Sequence, residues 1–459
     1  MTAAPATQAS APQDKLDFKR VLPIFVIVLI DLLGVTIIIP LLPLYATAFG
    51  ATPFMIGLLG AAYPLMQFLA APILGRLSDR YGRKPILLIS QVGTLAGFLL
   101  LGAAGSLWML YLSRIIDGLS GANISTAQAA ITDSTTEKTR TQGLGLIGAA
   151  FGIGFVLGPI IAFAALAISG NDYRWPAFIA AAFSVASILL TWFLFKETLP
   201  EEKRNKESQR RSFSFRSMIE AVRHPSVGIL LILIFCQQIA FGGLQQFLAL
   251  FSLNRLGLNA SGTAIIFVFV GVLVVLVQGV FIGRWSRRFG DRRLLTAGLG
   301  LLTIGLVMVA MTPQQAVPWY TREKLNQEMT AERRLPGETT PTQGIQVDVP
   351  SGDDTGWLGL AWVLLAMIPV SFGGGVLSPS INSLITKSVD ATEVGGILGI
   401  SAAFVSGANA IAPVMGGLIW QTMGPRWPFW IWGVLMGVLF VVAYFRIRPS
   451  RAVEASPGA

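Results

Sequence analysis

The sequence predicts an all-α polytopic membrane protein whose twelve transmembrane helices form two six-helix, pseudo-symmetric halves. Three observations predict this fold: an apolar composition, twelve apolar runs of spanning length, and an internal repeat. Of the 459 residues, 53% are hydrophobic and only 13% are charged, and the mean hydropathy is +0.65. Roughly a quarter of the residues of a soluble domain are charged. The composition therefore indicates a chain that lies mostly in lipid.

Twelve apolar runs are long enough to cross a bilayer, because a hydrocarbon core of about 30 Å takes about 20 residues in helical form. The predicted spans are residues 21–44, 53–74, 85–105, 107–131, 143–169, 175–195, 226–251, 260–283, 294–312, 357–383, 395–422 and 427–445. With the N-terminus inside, 26 of the 34 Lys and Arg residues face the cytoplasm and 7 lie in outer connections. The positive-inside rule therefore predicts a multi-pass protein of the inner (plasma) membrane with both termini cytoplasmic.

The two halves are related by an internal repeat. GRLSDRYGRKPIL at 75–87 aligns with GRWSRRFGDRRLL at 283–295, an offset of 208 residues. ITDS at 131–134 aligns with ITKS at 385–388, an offset of 254 residues. Two six-helix halves in parallel orientation explain both alignments.

The growing offset places an insertion in the second half, at residues 313–356. Its polar sequence, interrupted by prolines, predicts a solvated and partly disordered outer loop, and a short amphipathic helix over Thr321–Leu335 is the alternative. The predicted organisation is a disordered cytoplasmic tail (1–20), a first bundle (21–195), a cytoplasmic linker (196–225), a second bundle with the insertion (226–445) and a cytoplasmic tail (446–459).

Other kinds of protein fit the sequence poorly. The net charge of +10 is divided among short connections and does not form one basic face, so no nucleic acid is expected as a partner. Cys236 is the only cysteine and His224 the only histidine, so we expect no metal site, no cofactor and no histidine acid–base centre. A membrane enzyme would need a nucleophile with its base, and a sensor would need a sizeable soluble domain. Neither is present in the sequence.

Three charged residues occur inside the predicted spans: Asp31, Arg114 and Asp117. Each costs about 2.5 to 3.5 kcal/mol near a helix centre, so a functional role is the default interpretation. With a rise of 1.5 Å per residue, both carboxylates fall near the midplane. Helix 4 should present one polar stripe to a central cavity, formed by Arg114, Asp117, Gly121, Ser125 and Gln128.

We expect Asp31 and Asp117 to share Arg114, which leaves one net negative charge for a proton or a cationic substrate to neutralise. Like charges in a dry site titrate separately, and Asp31 is expected to be the exchangeable group. Competition between proton and substrate for this charge would couple their transport. A structural ion triad joining helices 1 and 4 is the alternative.

Three sequence motifs lie in the first half. The loop between helices 2 and 3 reads GRLSDRYGRKPIL, helix 4 carries Arg114, Gly118, Gly121 and Ala122, and helix 5 carries Gly154, Gly158 and Pro159. With these motifs the chain resembles a major facilitator superfamily transporter, of the twelve-helix drug:proton antiporter type that includes tetracycline-efflux proteins. The loop follows the family pattern GxLaDrxGrkxxL, and helix 5 follows the antiporter motif, although Ala162 and Phe163 replace its last two glycines.

The resemblance implies a cytoplasmic latch between the halves. Asp79 would sit at the N-terminus of helix 11, near Gly395 and Gly396, and Arg83 would pair with Asp133. A basic loop that only sets topology is the alternative. The second copy has Arg287 and Asp291 in place of Asp79 and Arg83, so the same latch is not expected there. The expected latch residues are Gly75, Asp79, Arg80, Gly82, Arg83, Lys84 and Asp133.

The resemblance also implies that Gly154, Gly158 and Pro159 seal helix 5 against a leak, with ordinary small-residue packing as the alternative. Glutamines on helix 7 around Phe241, together with the polar end of helix 10, predict a cavity wall suited to a bulky amphiphile. Interhelical hydrogen bonding by the glutamines is the alternative. The expected substrate-binding residues are Gln128, Gln238, Phe241, Gln245 and Asn382.

Taken together, the sequence predicts a monomeric secondary transporter that works by alternating access. We expect proton-coupled efflux of a bulky amphiphilic or cationic small molecule, with protons and the lipid bilayer as partners. Proton symport or uniport of a metabolite or lipid-like amphiphile is the alternative within transport.

Overall fold

The computed structural model describes residues 17–121, 123–204, 215–224, 227–331, 347–350, 354–389 and 394–446. Almost all of both predicted tails and part of the linker lie outside these residues. Within them the chain is helical apart from its connections, and one isolated β-bridge pairs Ala316 with Thr355. The predicted all-α fold is confirmed.

The described residues form seventeen α-helices and the segments that connect them. They are α1 (Phe18–Ile38), α2 (Leu42–Ala48), α3 (Pro53–Tyr81), α4 (Arg83–Gly102), α5 (Leu107–Ser120), α6 (Asn123–Asp133), α7 (Glu137–Ser169), α8 (Arg174–Leu194), α9 (Phe215–Arg223), α10 (Gly228–Leu256), α11 (Ala260–Val275), α12 (Ile282–Phe289), α13 (Asp291–Ala310), α14 (Arg322–Ala331), α15 (Leu358–Lys387), α16 (Val394–Met423) and α17 (Trp427–Arg446). A π-helical segment, Leu276–Phe281, joins α11 to α12 into one long rod.

The fourth predicted span is not one helix. Among the described residues, eleven helical stretches are long and apolar enough to cross a membrane, and the region 107–131 is divided between α5 and α6. The helix α5 ends before Gly121, whose carbonyl accepts a hydrogen bond from Gln67 Nε2 at 2.7 Å. Residue 122 lies outside the described part of the chain. The predicted span 107–131 is therefore not one continuous helix, because it is interrupted at Gly121.

The internal repeat appears in the backbone. Gly82 and Gly290, which are 208 residues apart, both have positive φ, 103° and 79°, and each precedes a 20-residue helix. Only glycine adopts such angles without strain, so each basic loop turns at its glycine. We call the end of the bundle with these two turns the basic-loop end, and the opposite end the insertion end.

The two halves meet through α3 with α16 and through α7 with α11. Near the insertion end both contacts are tight. Gly57 packs on the backbone of Pro413 and Gly417, and a Cβ on Gly271 would lie 2.8 Å from the Phe155 carbonyl oxygen. This oxygen is the one whose helical donor is removed by Pro159, four residues later.

Towards the basic-loop end the same helices separate. A Cβ on Gly75 of α3 or Gly399 of α16 would meet nothing within 4 Å, and the same holds for Gly148 of α7 and for Gly279 of the π-helical segment. The structure is therefore closed at the insertion end and open at the basic-loop end. Gly75, one of the expected latch residues, therefore has open space beside it in this conformation.

The described parts of the insertion are packed, which corrects the expectation of a solvated loop. Leu325 of α14 and Tyr320 are buried, and Tyr320 Oη donates a hydrogen bond to the Pro350 carbonyl at 2.8 Å. The helix of the alternative interpretation is present over Arg322–Ala331. Residues 332–346 lie outside the described part of the chain.

Candidate transport site

Asp31 of α1 is buried, with 6% of its surface exposed. Its Oδ2 atom accepts a hydrogen bond from Asn123 Nδ2 at 2.9 Å, and its Oδ1 atom has no hydrogen-bond partner among the described residues. Asn123 is the first described residue of α6, two residues after the interruption at Gly121. The partner of Asp31 is thus a neutral group.

The other two intramembrane charges pair with each other. Arg114 Nη1 lies 3.1 Å from Asp117 Oδ2, one helical turn away on α5, and the Arg114 guanidinium lies over the Phe98 ring with 5.4 Å to its centroid. Both side chains are buried and face α4, where Asp117 packs against Gly97. Arg114 compensates Asp117 inside the first half.

The predicted triad is therefore corrected. Among the described residues no cation lies within 4 Å of Asp31, because Arg114 turns towards α4 and Asp117 while Asn123 occupies the position beside Asp31. One net negative charge still results when both carboxylates are ionised, and it lies on Asp31. The polar stripe is also interrupted at Gly121: Arg114 and Asp117 are buried, Ser125 is half-buried and Gln128 is exposed.

A cavity of about 150 Å³ lies between the two halves. Phe151 and Phe155 of α7 form one wall, and Phe241 and Gln245 of α10 form another. Gln278, in the π-helical segment, adds a second amide, and π-helical turns are common at functional sites. The walls are aromatic and aliphatic with two amide groups, which suits an apolar molecule with few hydrogen-bonding groups.

Two of the five predicted substrate residues, Phe241 and Gln245, line this cavity. Gln238 instead donates to Asn409 Oδ1 at 2.9 Å, and Asn382 accepts a hydrogen bond from Ser401 at 3.2 Å, as the alternative of interhelical hydrogen bonding expects. Sequence reasoning missed Gln278. The sequence does single it out, since Gln278 is the only amide side chain in the apolar run 260–283.

The first basic loop forms the predicted ion pair. Arg83 Nε lies 3.0 Å from Asp133 Oδ2, and Arg83 Nη1 contacts Asp79 and donates to Ser78 Oγ at 2.7 Å. Asp79 is thus paired within its own half. Residues 390–393, which precede its expected position at the N-terminus of helix 11, lie outside the described part of the chain. Arg80 lies over the Tyr81 ring, and Lys84 Nζ donates to the Trp192 carbonyl at 2.8 Å.

A carboxylate that sequence reasoning missed caps this loop. Glu197 accepts hydrogen bonds from the backbone N–H groups of Arg83, at 2.9 Å, and Lys84, at 3.1 Å, at the N-terminus of α4. The helix dipole and the free N–H groups favour an anion there. A Cβ on Gly82 would collide with Glu197, so glycine is required for space as well as for φ.

The second basic loop forms an ion pair of reversed polarity. Asp291 occupies the position equivalent to Arg83, and Lys387 the position equivalent to Asp133, at the two repeat offsets. Lys387 Nζ donates to Asp291 Oδ2 at 2.6 Å, and Ser286, the equivalent of Ser78, donates to the same carboxylate. Lys387 lies at the end of α15, far from the loop in sequence, so the loop sequence alone does not reveal this pair.

The helix 5 motif packs against helix 1. Gly158 of α7 lies so close to Thr36 of α1 that a Cβ would overlap the threonine, whereas Gly154 makes ordinary contacts with Leu32 and Thr36. Leu32 and Thr36 follow Asp31 within two turns of α1. The motif therefore fixes the segment of helix 1 that carries the buried carboxylate.

A membrane bundle of two related halves with a cavity between them is the architecture of a secondary transporter. A family model described as Major Facilitator Superfamily matches residues 24–321 and 355–459. The chain belongs to the major facilitator superfamily. It is therefore a multi-pass membrane transporter and not an enzyme.

Relatives of known name agree with this assignment. The class H tetracycline resistance protein of Pasteurella multocida is 27% identical over 96% of this chain and 100% of its own length. Multidrug resistance protein 1 of Bacillus subtilis (strain 168) is 25% identical over 90% of this chain and 93% of its own length. The crystal structure of the human organic anion transporter MFSD10 covers 94% of this chain and 100% of its own, with 21% identity and a TM-score of 0.64, and shows the shared fold. The resemblance to tetracycline-efflux proteins is confirmed.

Proposed function

We propose that this chain exports a bulky amphiphilic or cationic small molecule in exchange for protons, and that Asp31 carries the exchanged proton. The single observation behind this proposal is the position of Asp31, a buried carboxylate whose partner is a neutral amide. No cation of the described residues offsets the burial of an ionised Asp31, so taking up a proton or a cationic substrate relieves the cost of that charge. Asp117 already has Arg114 and is less suited to exchange.

The names of the relatives support the class of substrate. They include tetracycline resistance proteins and multidrug resistance proteins. The cavity with its aromatic walls and two amides fits large, mainly apolar molecules. We further propose that the basic-loop end is cytoplasmic, as the distribution of Lys and Arg predicts, and that the described conformation is open to the cytoplasm to load substrate.

The experiment that tests this function uses inverted membrane vesicles that contain the protein. Proton exchange predicts that an acid interior drives uptake of tetracycline or the cationic dye ethidium above the external concentration, and that a protonophore releases it. Vesicles without the protein provide the control. Accumulation in right-side-out vesicles, driven by an acid exterior, would instead support symport and would contradict export.

A further inference from the structure

A segment outside the family pattern bridges the two halves at the insertion end. The family model leaves residues 322–354 unmatched, and α14 lies in this stretch. Glu328 of α14 accepts a hydrogen bond from Asn171 Nδ2 on one carboxylate oxygen and from Asn259 Nδ2 on the other, each at 3.1 Å. Asn171 follows α7 in the first half, and Asn259 caps α11 in the second. One carboxylate therefore contacts both halves.

The insertion is anchored to the second half. The Val317 N–H donates to the Leu256 carbonyl at 3.0 Å, and Asn254 Nδ2 donates to the Asp348 carbonyl at 2.8 Å. Tyr320 packs directly on Gly257, where any side chain would collide with the ring. These contacts tie the described parts of the insertion to the second half. The helix α14 reaches the first half through the contact between Glu328 and Asn171 and through packing against α2.

Asn171 is held in an unusual conformation for this contact. It has φ of 70°, the only positive value among the described residues other than glycine, and its N–H donates to the Leu166 carbonyl at 2.8 Å. Asparagine is one of the few residues that tolerate this region. Its side-chain oxygen accepts a hydrogen bond from Ser261 of the second half. Both ends of the Asn171 amide are therefore bonded across the interface.

The space below α14 is not filled. A cavity of about 270 Å³ lies there, lined by Phe163 of the first half and by Ser261, Tyr320 and Lys324 of the second. The contact between Glu328 and Asn171 therefore lies beside open space, although Leu325 of the same helix is buried.

We propose that Glu328 and Asn171 form a clasp that holds the insertion end closed, and that opening of this clasp is a step of the transport cycle. Alternating access requires the halves to separate at the insertion end, and the clasp joins them there. The bond of Glu328 to Asn259 lies within one half and persists. Glu328 of the clasp lies in the insertion. The proposal rests on the proposed transport function but not on which ion drives it.

The first test measures opening without any substrate. Gln245→Cys is placed in a Cys236→Ser background and labelled with a membrane-impermeant maleimide from the insertion side. Glu328→Ala is expected to raise the labelling rate about threefold or more, since a weakened clasp increases the population open at that end. Glu323→Ala, on the exposed face of α14, is the matched control and should leave the rate unchanged. An unchanged rate with Glu328→Ala would overturn the clasp.

The second test fixes the clasp. The pair Asn171→Cys and Glu328→Cys is joined by a short, reducible thiol cross-linker, and the pair Asn259→Cys and Glu328→Cys is joined in the same way as the control. We expect the first cross-link to lower ethidium uptake into vesicles about tenfold or more, with recovery on reduction, and the second to leave uptake unchanged. Normal uptake with the first cross-link, or loss of uptake with both, would overturn the proposal. Because the labelling test needs neither substrate nor protons, it separates failure of the clasp from failure of the proposed function.

Discussion

Asn123 Nδ2 donates a hydrogen bond to Asp31 Oδ2 at 2.9 Å, so a residue of α6 just after the interruption at Gly121 holds the buried carboxylate of helix 1. The break and the carboxylate are therefore parts of one arrangement. A continuous helix would rotate and shift residue 123 relative to the residues before it, and the amide would lose its position.

Asn123→Leu should impair transport driven by a pH gradient. The substitution removes the donor to Asp31, and a hydrogen bond to a charged group is worth about 1.5 to 3 kcal/mol, or roughly a 13- to 160-fold change in an equilibrium. The initial rate of dye uptake into inverted vesicles, at matched protein level, measures the effect. Ile124→Leu, at the next position on α6, is the control and should keep the parent rate. A parent rate for Asn123→Leu would show that the hydrogen bond is dispensable.

The two ion pairs of reversed polarity should differ in their effect on stability. Arg83 is buried, so Arg83→Met leaves Asp133 and Asp79 without their cation and should cost about 3 to 5 kcal/mol. The Lys387 side chain is 66% exposed, so solvent screening should keep the cost of Lys387→Met to about 1 kcal/mol or less. Thermal unfolding of the purified protein in detergent compares the two. The double exchange Asp291→Lys with Lys387→Asp should recover stability lost in Lys387→Asp alone, and no recovery would mean that the pair does not act as one.

Gly148→Trp should hold the protein open at the basic-loop end. The position meets nothing within 4 Å in this conformation, so the protein should fold normally. Closure brings α7 and the partner half together there, and a tryptophan would block it. Transport should fall about tenfold or more, which needs a bias of only about 1.4 kcal/mol between the two states. Val434→Trp, at an exposed position on α17, is the control, and equal transport by both variants would contradict the opening described above.

Gln278→Leu and Gln245→Leu should weaken substrate binding and leave proton coupling intact. Each removes one amide from the cavity, and a neutral hydrogen bond is worth about 0.5 to 1.5 kcal/mol, which predicts a rise in KM of roughly 2- to 13-fold. Concentration dependence of uptake in vesicles measures KM. Gln237→Leu, at a buried position on α10 outside the cavity lining, is the comparison. Loss of gradient dependence with an unchanged KM would place the amides in coupling and not in binding.

The features that the sequence predicts well are those set by composition and by local chemistry. Hydropathy gives eleven of the spans, and the internal repeat gives the two basic loops, which the structure shows turning at Gly82 and Gly290 with positive φ. The pair between Arg83 and Asp133 followed from a family motif. Each of these depends on residues whose neighbours are close in sequence or fixed by the repeat.

What the sequence could not give depends on rotation and on conformational state. The break at Gly121 depends on a donor from Gln67, 54 residues away, and no local pattern contains it. The direction of the Arg114 side chain depends on its packing against Phe98. Helical spacing alone therefore gave the wrong prediction that Asp31 and Asp117 share Arg114. The open space beside Gly75 depends on the conformational state, and a sequence does not select one of two states.

The central claim is that Asp31 carries the exchanged proton, and Asp31→Asn tests it most directly because the amide keeps the shape and cannot ionise. In inverted vesicles with an acid interior, the account predicts that Asp31→Asn abolishes uphill dye uptake while downhill dye exchange between the two sides continues. Uphill uptake at the parent rate by Asp31→Asn would contradict the account.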